Sequence, residues 1–516
     1  MPNTGRPSRD CHLCRKRRVK CDLARPACQR CIKYGTECPG YRDQQELVFR
    51  NADPTAVRKR KKRTSQSPEV SGSPSSAASG TAYPTPVLSP NGDFMFTSST
   101  DVVLAKGVNC NAAAPLTRPV FQHWTSHSVP IVLNVYSNLD FIQDIYSGYS
   151  NDGPLIWAAH LFSRTYVTNL RYPTAISRDA HEETQRELGT YLVKTLSSVN
   201  KALGTPEGAF RDDVLATIWL LSNYELLIGS LNRTETLSPW HLHARGLYSI
   251  LKIRGVAPLH TVKGRMMFWP AYSMVQIQSL INNTECPPES QEWFDAIAQS
   301  LSPGEGLGLH VSLFMIKICS VQARIFSFFR RRDFSGASRE YNDLLAQMKA
   351  AIHEIEDWME SNPVGNHMLE IYVISLYQSA IVKGFNAVKL LINFLTHYPL
   401  CSVPLQQLTA DRDYCIEIAQ TSAQGIIETV PRILGPLAAK GKDKSPKTVF
   451  DALRIIWPLI CVYVMDICRP EQRLTASEYL FYIGRELGIR QGLNTYSTKL
   501  ALPPEARVPF GEHEEL

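Results

Sequence analysis

Six cysteines within the first 38 residues carry the densest potential for chemistry in this 516-residue chain: Cys11, Cys14, Cys21, Cys28, Cys31 and Cys38, out of 13 in all. They read C-x2-C-x6-C-x6-C-x2-C-x6-C, the half-motif C-x2-C-x6-C used twice. Thiols this close together make either a disulfide framework or a metal site. The opening MPNTGRPSRD has no apolar run of the secretory kind, which argues against an oxidising compartment. Thiolate ligation of zinc is the reading that fits.

Six ligands do not divide into ordinary four-coordinate sites. One zinc ion leaves two thiols idle, whereas two tetrahedral ions need eight bonds, which six thiolates supply if two sulfurs bridge both metals. The near-symmetry of the halves puts the bridging pair at equivalent positions, with Cys11 and Cys28 as the leading candidates. Between Cys14 and Cys21 lie five cations and a valine, RKRRVK. These cations can favour the thiolate form of neighbouring cysteines, and they have charge to spare.

That spare charge is part of a strong asymmetry. Residues 1–63 hold 18 Lys and Arg against 6 Asp and Glu, a net of +12, while the whole chain is only +7. A basic head on a mildly acidic body implies that the head, and not the body, meets a polyanion.

The cysteine spacing, the run CRKRRVKCD and Pro26 in the connecting loop resemble the fungal Zn2Cys6 binuclear-cluster DNA-binding family over about residues 11–41. The resemblance implies two Zn2+ per chain on the six cysteines, and a short helix whose end enters the major groove to read a CGG-type triplet of double-stranded DNA. A continuous helix from Arg15 to Lys20 would carry long cationic side chains to guanine O6 and N7. Base contact is carried over to Arg17 and Arg18, and phosphate contact to Arg15, Lys16 and Lys20. The same resemblance implies a nuclear regulator of RNA polymerase II transcription that works with the transcription machinery or co-regulators and has no membrane role.

Downstream, Arg58, Lys59, Arg60, Lys61, Lys62 and Arg63 form six consecutive cations, the composition of a nuclear import signal. Residues 42–63 contain Pro54 and no sustained heptads, so no dimerising coiled coil is expected there. Residues 64–100 are dominated by Ser, Thr, Pro and Gly and hold no Lys or Arg, which makes them a flexible linker. Ser67, Ser73, Thr85 and Ser89 each precede proline and are candidate sites for proline-directed kinases.

The elements that follow read as helical. SREYNDLLAQMKAAIHEIEDWMES places Tyr341, Leu344, Leu345, Met348, Ile352, Ile355 and Met359 on one face, with Ser338 as the expected N-cap and Asn362-Pro363 as the stop. DDVLATIWLLSNYELLIGS is apolar nearly all round and predicts a buried central helix. SVPIVLNVY is expected as one short strand. RIIWPLICVYVMDIC, interrupted by Pro458 and Asp466, falls short of a bilayer span. Around SPWHLHARGLYSILKIRG and GRMMFWPAYSMVQIQSL the body resembles the helical regulatory domain of many fungal zinc-cluster factors, over most of residues 120–500.

The expected organisation is mostly α: a flexible N-terminus (1–10), a zinc-cluster module (11–41), a basic and Ser/Pro-rich linker (42–100) and an all-α regulatory body (101–516), with a homodimer left open. Enzymatic readings fare poorly. His241 and His243 point about 200° apart on a helix and cannot share an ion from that element alone. GEGLGLH (304–310) lacks both the G-x-G-x-x-G spacing and a βαβ unit. The expectation is a DNA-binding regulator and not an enzyme. The alternatives are a repressor, a monomeric reader, or a receptor whose helical body binds a small-molecule effector. An aromatic pocket with a few convergent polar groups would favour the receptor.

Overall fold

The computed structural model describes residues 11–17, 19–24, 27–39, 125–137, 139–148, 153–172, 182–231, 238–365, 367–435, 447–494 and 502–511. Arg18, the basic run 58–63 and the expected segments 1–10 and 42–100 lie outside them. The chain divides into two units, Met1–Asn111 and Ala112–Leu516, each considered by itself.

The first unit contains two short helices, α1 (His12–Arg17) and α2 (Gln29–Lys33). Among the described residues its buried side chains are Cys11, Cys14, Cys21, Cys28 and Cys31, with Leu13, Val19 and Cys38 packed partly against them. The described residues of this unit hold no hydrophobic core of useful size, so their order calls for another source.

The second unit is built from helices, with no strand among the described residues. In chain order these are α3 (Thr125–Val135), α4 (Asp140–Gly148), α5 (Pro154–Arg171), α6 (Glu182–Leu203), α7 (Asp212–Ile228), α8 (Pro239–Arg254), α9 (Val262–Asn282) and α10 (Ser290–Ala298). There follow α11 (Gly306–Arg331), α12 (Phe334–Ser361), α13 (Met368–Thr396), α14 (Leu405–Leu434), α15 (Lys447–Val464), α16 (Pro470–Glu486) and α17 (Pro504–Arg507). One continuous apolar core runs through them from Val129 to Ala506. Two of the helices buried almost all round sit at its centre. α7 packs on α5, α8 and α9, and α13 packs on α11, α12, α14, α15 and α17.

α7 is the central helix that its composition predicts. Asp212 and Asp213 open it, and Gly229 closes it at φ +75°, a left-handed conformation natural to glycine. In α12 the predicted stripe is the core face: Tyr341, Leu344, Leu345, Met348, Ile352 and Ile355 are buried and Met359 is partly so. Its start differs from expectation. The helix begins at Phe334, capped by Asp333, whose carboxylate accepts the Gly336 N–H at 2.8 Å. Ser338 lies inside the helix, and its hydroxyl instead accepts the Ser402 N–H at 2.9 Å.

The expected strand SVPIVLNVY is helical. It forms most of α3, with Pro130 in the second turn, and packs on α5 and α15. β-branched residues carry only a weak preference, and here two apolar helices offer a surface that a lone strand could not use without orphaning its backbone groups. RIIWPLICVYVMDIC falls mostly in α15, whose residues are nearly all buried. Among the described helices α11 alone has the length and apolar composition of a membrane span. It packs on α12 and α13, and its Phe314, Ile318, Ile325 and Phe328 are buried.

Candidate metal centre and DNA-reading helix

The two halves of the cysteine motif adopt the same local construction. Cys11 precedes α1, and its sulfur accepts the Cys14 N–H at 3.4 Å. Cys28 caps α2, and its sulfur accepts the Cys31 N–H at 3.3 Å. The C-x2-C spacing explains both, because a helix begun after the first cysteine aims the N–H three residues on back at that sulfur, as at any N-cap. Each half therefore presents two sulfurs from one helical turn. Asp22 ties the halves together by accepting the Gln29 N–H, the first of α2, at 3.1 Å. Sequence reasoning missed Asp22, because it lies seven residues before Gln29 and no capping spacing marks it; the N-cap of α2 is Cys28.

The sulfurs form two groups, Cys11, Cys14, Cys21 and Cys28 in one and Cys11, Cys28, Cys31 and Cys38 in the other. Within each group the sulfur atoms lie within 4.8 Å of one another. Cys11 and Cys28 belong to both and stand 3.7 Å apart. The Cys11–Cys31 and Cys14–Cys28 separations are 3.6 and 3.7 Å. A zinc ion about 2.3 Å from each thiolate gives a tetrahedral edge of roughly 3.8 Å, so these spacings suit the metal. Two overlapping four-sulfur groups match the eight-bond arithmetic drawn from the sequence.

The thiols resist ionisation by themselves. Burial, with mutual sulfur contacts behind it, pushes Cys14 up to about 12 and raises Cys28 and Cys31 as well. Bound metal ions supply positive charge that favours the thiolate form of buried cysteines.

The basic helix is shorter than expected. α1 ends at Arg17, and the Val19 N–H closes back onto the Cys14 carbonyl at 3.0 Å. Such a 6→1 bond terminates a helix, so Lys20 leaves its axis. Lys16 and Lys20 are exposed. The Arg17 guanidinium lies over the Tyr34 ring, 3.3 Å from its centroid. Arg15 is described only in its backbone.

Residues 9–47 match the family model of the fungal Zn(2)-Cys(6) binuclear cluster domain. The N-terminal module is a Zn(2)-Cys(6) cluster. It binds two zinc ions, and the chain is a DNA-binding transcription factor of that general kind, its helical body consistent with the architecture. No curated protein and no solved structure matches the chain.

Away from the module, the residues weighed for catalysis take structural places. His241 is buried with its ring edge-on to Trp240, while His243 stands 3.4 Å from the buried Glu225 carboxylate. In GEGLGLH, Glu305 accepts from the Arg265 and Trp269 side chains and from the Ser302 N–H at 2.9 to 3.1 Å. That loop is an anchor at the start of α11.

Proposed function

We propose that the protein is a nuclear, sequence-specific regulator of RNA polymerase II transcription that reads CGG-like triplets in double-stranded DNA. In this reading Cys11 and Cys28 bridge the metals, Cys14 and Cys21 complete one site, and Cys31 and Cys38 complete the other. Arg17 and Arg18 contact bases, Arg15, Lys16 and Lys20 contact phosphates, and residues 58–63 direct nuclear import. The observation that carries the reading is the pair of four-sulfur groups sharing two members beneath a helix rich in cations. Metal-fixed geometry lets so short a helix be aimed at a groove. No catalytic role is proposed.

The test is selection from randomised duplexes by the zinc-loaded full-length chain. Enrichment of CGG-like triplets supports the reading. Enrichment of an unrelated sequence would keep the DNA-binding factor and discard the triplet, and import failing to depend on residues 58–63 would discard that assignment.

A second reading, in which the helical body receives a small-molecule effector, is favoured by a cavity of about 310 Å³ among α4, α7, α8, α9, α11, α13 and α15. Its wall is largely apolar and includes Trp219, Trp240, Trp269, Tyr372 and Trp457, the kind of lining expected of a receptor. Co-regulator recruitment and homodimerisation of the body remain compatible with either reading.

A further inference from the structure

The cavity in the helical body contains a guanidinium that no side chain among the described residues meets with a hydrogen bond. Arg454, on α15, lines it together with Trp219, Trp240, Trp269, Tyr372 and Trp457. The Arg454 side chain is 12% exposed. Its guanidinium lies 3.8 Å from the Phe450 ring centroid and 5.3 Å from that of Tyr372. The nearest carboxylate oxygen, on Asp451, is 3.9 Å from Nη1 and therefore beyond hydrogen-bond reach. That same oxygen is itself buried without a hydrogen bond. Burial holds Arg454 below, and Asp451 above, the ordinary range of each.

Arg265 shows how the same body treats a buried guanidinium when it is structural. It is 1% exposed and donates to Glu305, to the Leu259 carbonyl and to the hydroxyls of Ser300 and Ser302, at 2.8 to 3.1 Å. Arg454 makes no such bond among the described residues. Two more donors on the same wall, the indole N–H groups of Trp240 and Trp457, are buried and likewise lack an acceptor. Burying donors and a cation without acceptors is costly, and here three such groups share one cavity. The acidic side chains on the lining are Glu305 and Glu370. Glu305 is engaged by Arg265, and Glu370 accepts the His367 N–H at 3.2 Å in the cap of α13. Neither answers Arg454.

We propose that this cavity binds a small organic carboxylate with an apolar or aromatic body, its anionic end held by Arg454 and its body packed among the tryptophans. The proposal deepens the effector-receiving reading of the body and is independent of the DNA-reading one. A guanidinium matches a carboxylate in two parallel hydrogen bonds, and aromatic walls suit an apolar remainder. A cation resting on ring faces alone would be the structural alternative.

The experiment uses the zinc-loaded full-length chain, titrated with phenylacetate, indole-3-acetate and decanoate and with the neutral amide of each, read by calorimetry and by tryptophan emission. At least one acid should bind about tenfold or more tighter than its amide. Arg454→Gln should bring the acid down to the affinity of the amide and leave the amide unchanged, and Arg454→Lys should recover part of the preference. Acid and amide binding alike, no binding by any of the acids, or a preference that survives in Arg454→Gln would each overturn the proposal. Should Arg454→Gln fail to fold, the comparison of acid and amide on the natural chain decides alone. Zinc content and duplex binding are measured on the same preparations, so failure of the DNA reading is seen separately from failure of the cavity assignment.

Discussion

The guanidinium of Arg17 lies 3.3 Å from the centre of the Tyr34 ring, which joins the end of α1 to the residue that closes α2. The stack ties the two halves of the zinc module together at the place where the basic side chains leave the helix. It also fixes the direction of one side chain assigned to read bases, and preorganisation of that kind lowers the entropy lost on binding.

Tyr34→Ala should therefore weaken binding to the selected duplex by about two- to fivefold, the equivalent of a cation–π contact at an exposed site. Tyr34→Phe should leave it unchanged. Titration of a labelled duplex checks both. Tighter binding by Tyr34→Ala would mean that the stack holds Arg17 away from DNA, and the assignment of Arg17 to base contact would fail.

Sharing of two sulfurs between both groups separates the cysteines into classes. Native mass spectrometry of the full chain should show two zinc ions, nearly none in Cys11→Ala or Cys28→Ala, and more retained metal in Cys38→Ala, which depletes one group only. Chelation should unfold the module, whose buried side chains among the described residues are all cysteines. Equal zinc loss in all three variants would contradict the shared pair.

Phosphate contact and base contact differ in their signature. Lys20→Ala should weaken binding to all duplexes alike and flatten its salt dependence, while Arg18→Ala should also relax preference at one base pair, costing about 1–3 kcal/mol there. The checks are affinities on matched and single-substituted duplexes over a range of salt. Uniform loss in both variants would collapse the division of roles.

In the body, Arg265→Met should cost about 3–5 kcal/mol at neutral pH, because it strands the Glu305 carboxylate in a site built around the cation. Burial pushes Glu305 upward, yet hydrogen bonds from Trp269, Ser302 and Arg265 together hold it below its ordinary value of 4.5. A carboxyl depressed in the folded state contributes stability that is fully present above that ordinary value. The contribution is lost as pH falls through the lower folded value. The gap between natural chain and variant should thus narrow on acidification from pH 7 to about 3.5. Chemical unfolding at the two pH values measures it, and a constant gap would show that the pair is not the source.

Much of this protein is decided locally. The six cysteine positions, by ligand counting, point to a metal site that two zinc ions complete if two sulfurs are shared, and C-x2-C sets each pair on one helical turn. The central burial of α7 follows from a composition that is apolar nearly all round, and the core face of α12 from apolar residues recurring at spacings of three and four over several turns. What tertiary structure decided lies where distant segments compete. α3 is a helix because α5 and α15 give its apolar residues a surface. α12 starts a turn earlier than expected, capped by Asp333, and the Ser338 hydroxyl inside it meets the distant Ser402 instead. The cavity and the place of Arg454 in it were invisible to the sequence, since its wall is drawn from seven helices spread between Leu139 and Ile460. No local pattern records whether a buried cation will find its partner within the chain. That depends on which side chains the packing brings within about 3 Å, and hydrogen bonds fade over a few tenths of an ångström beyond that distance.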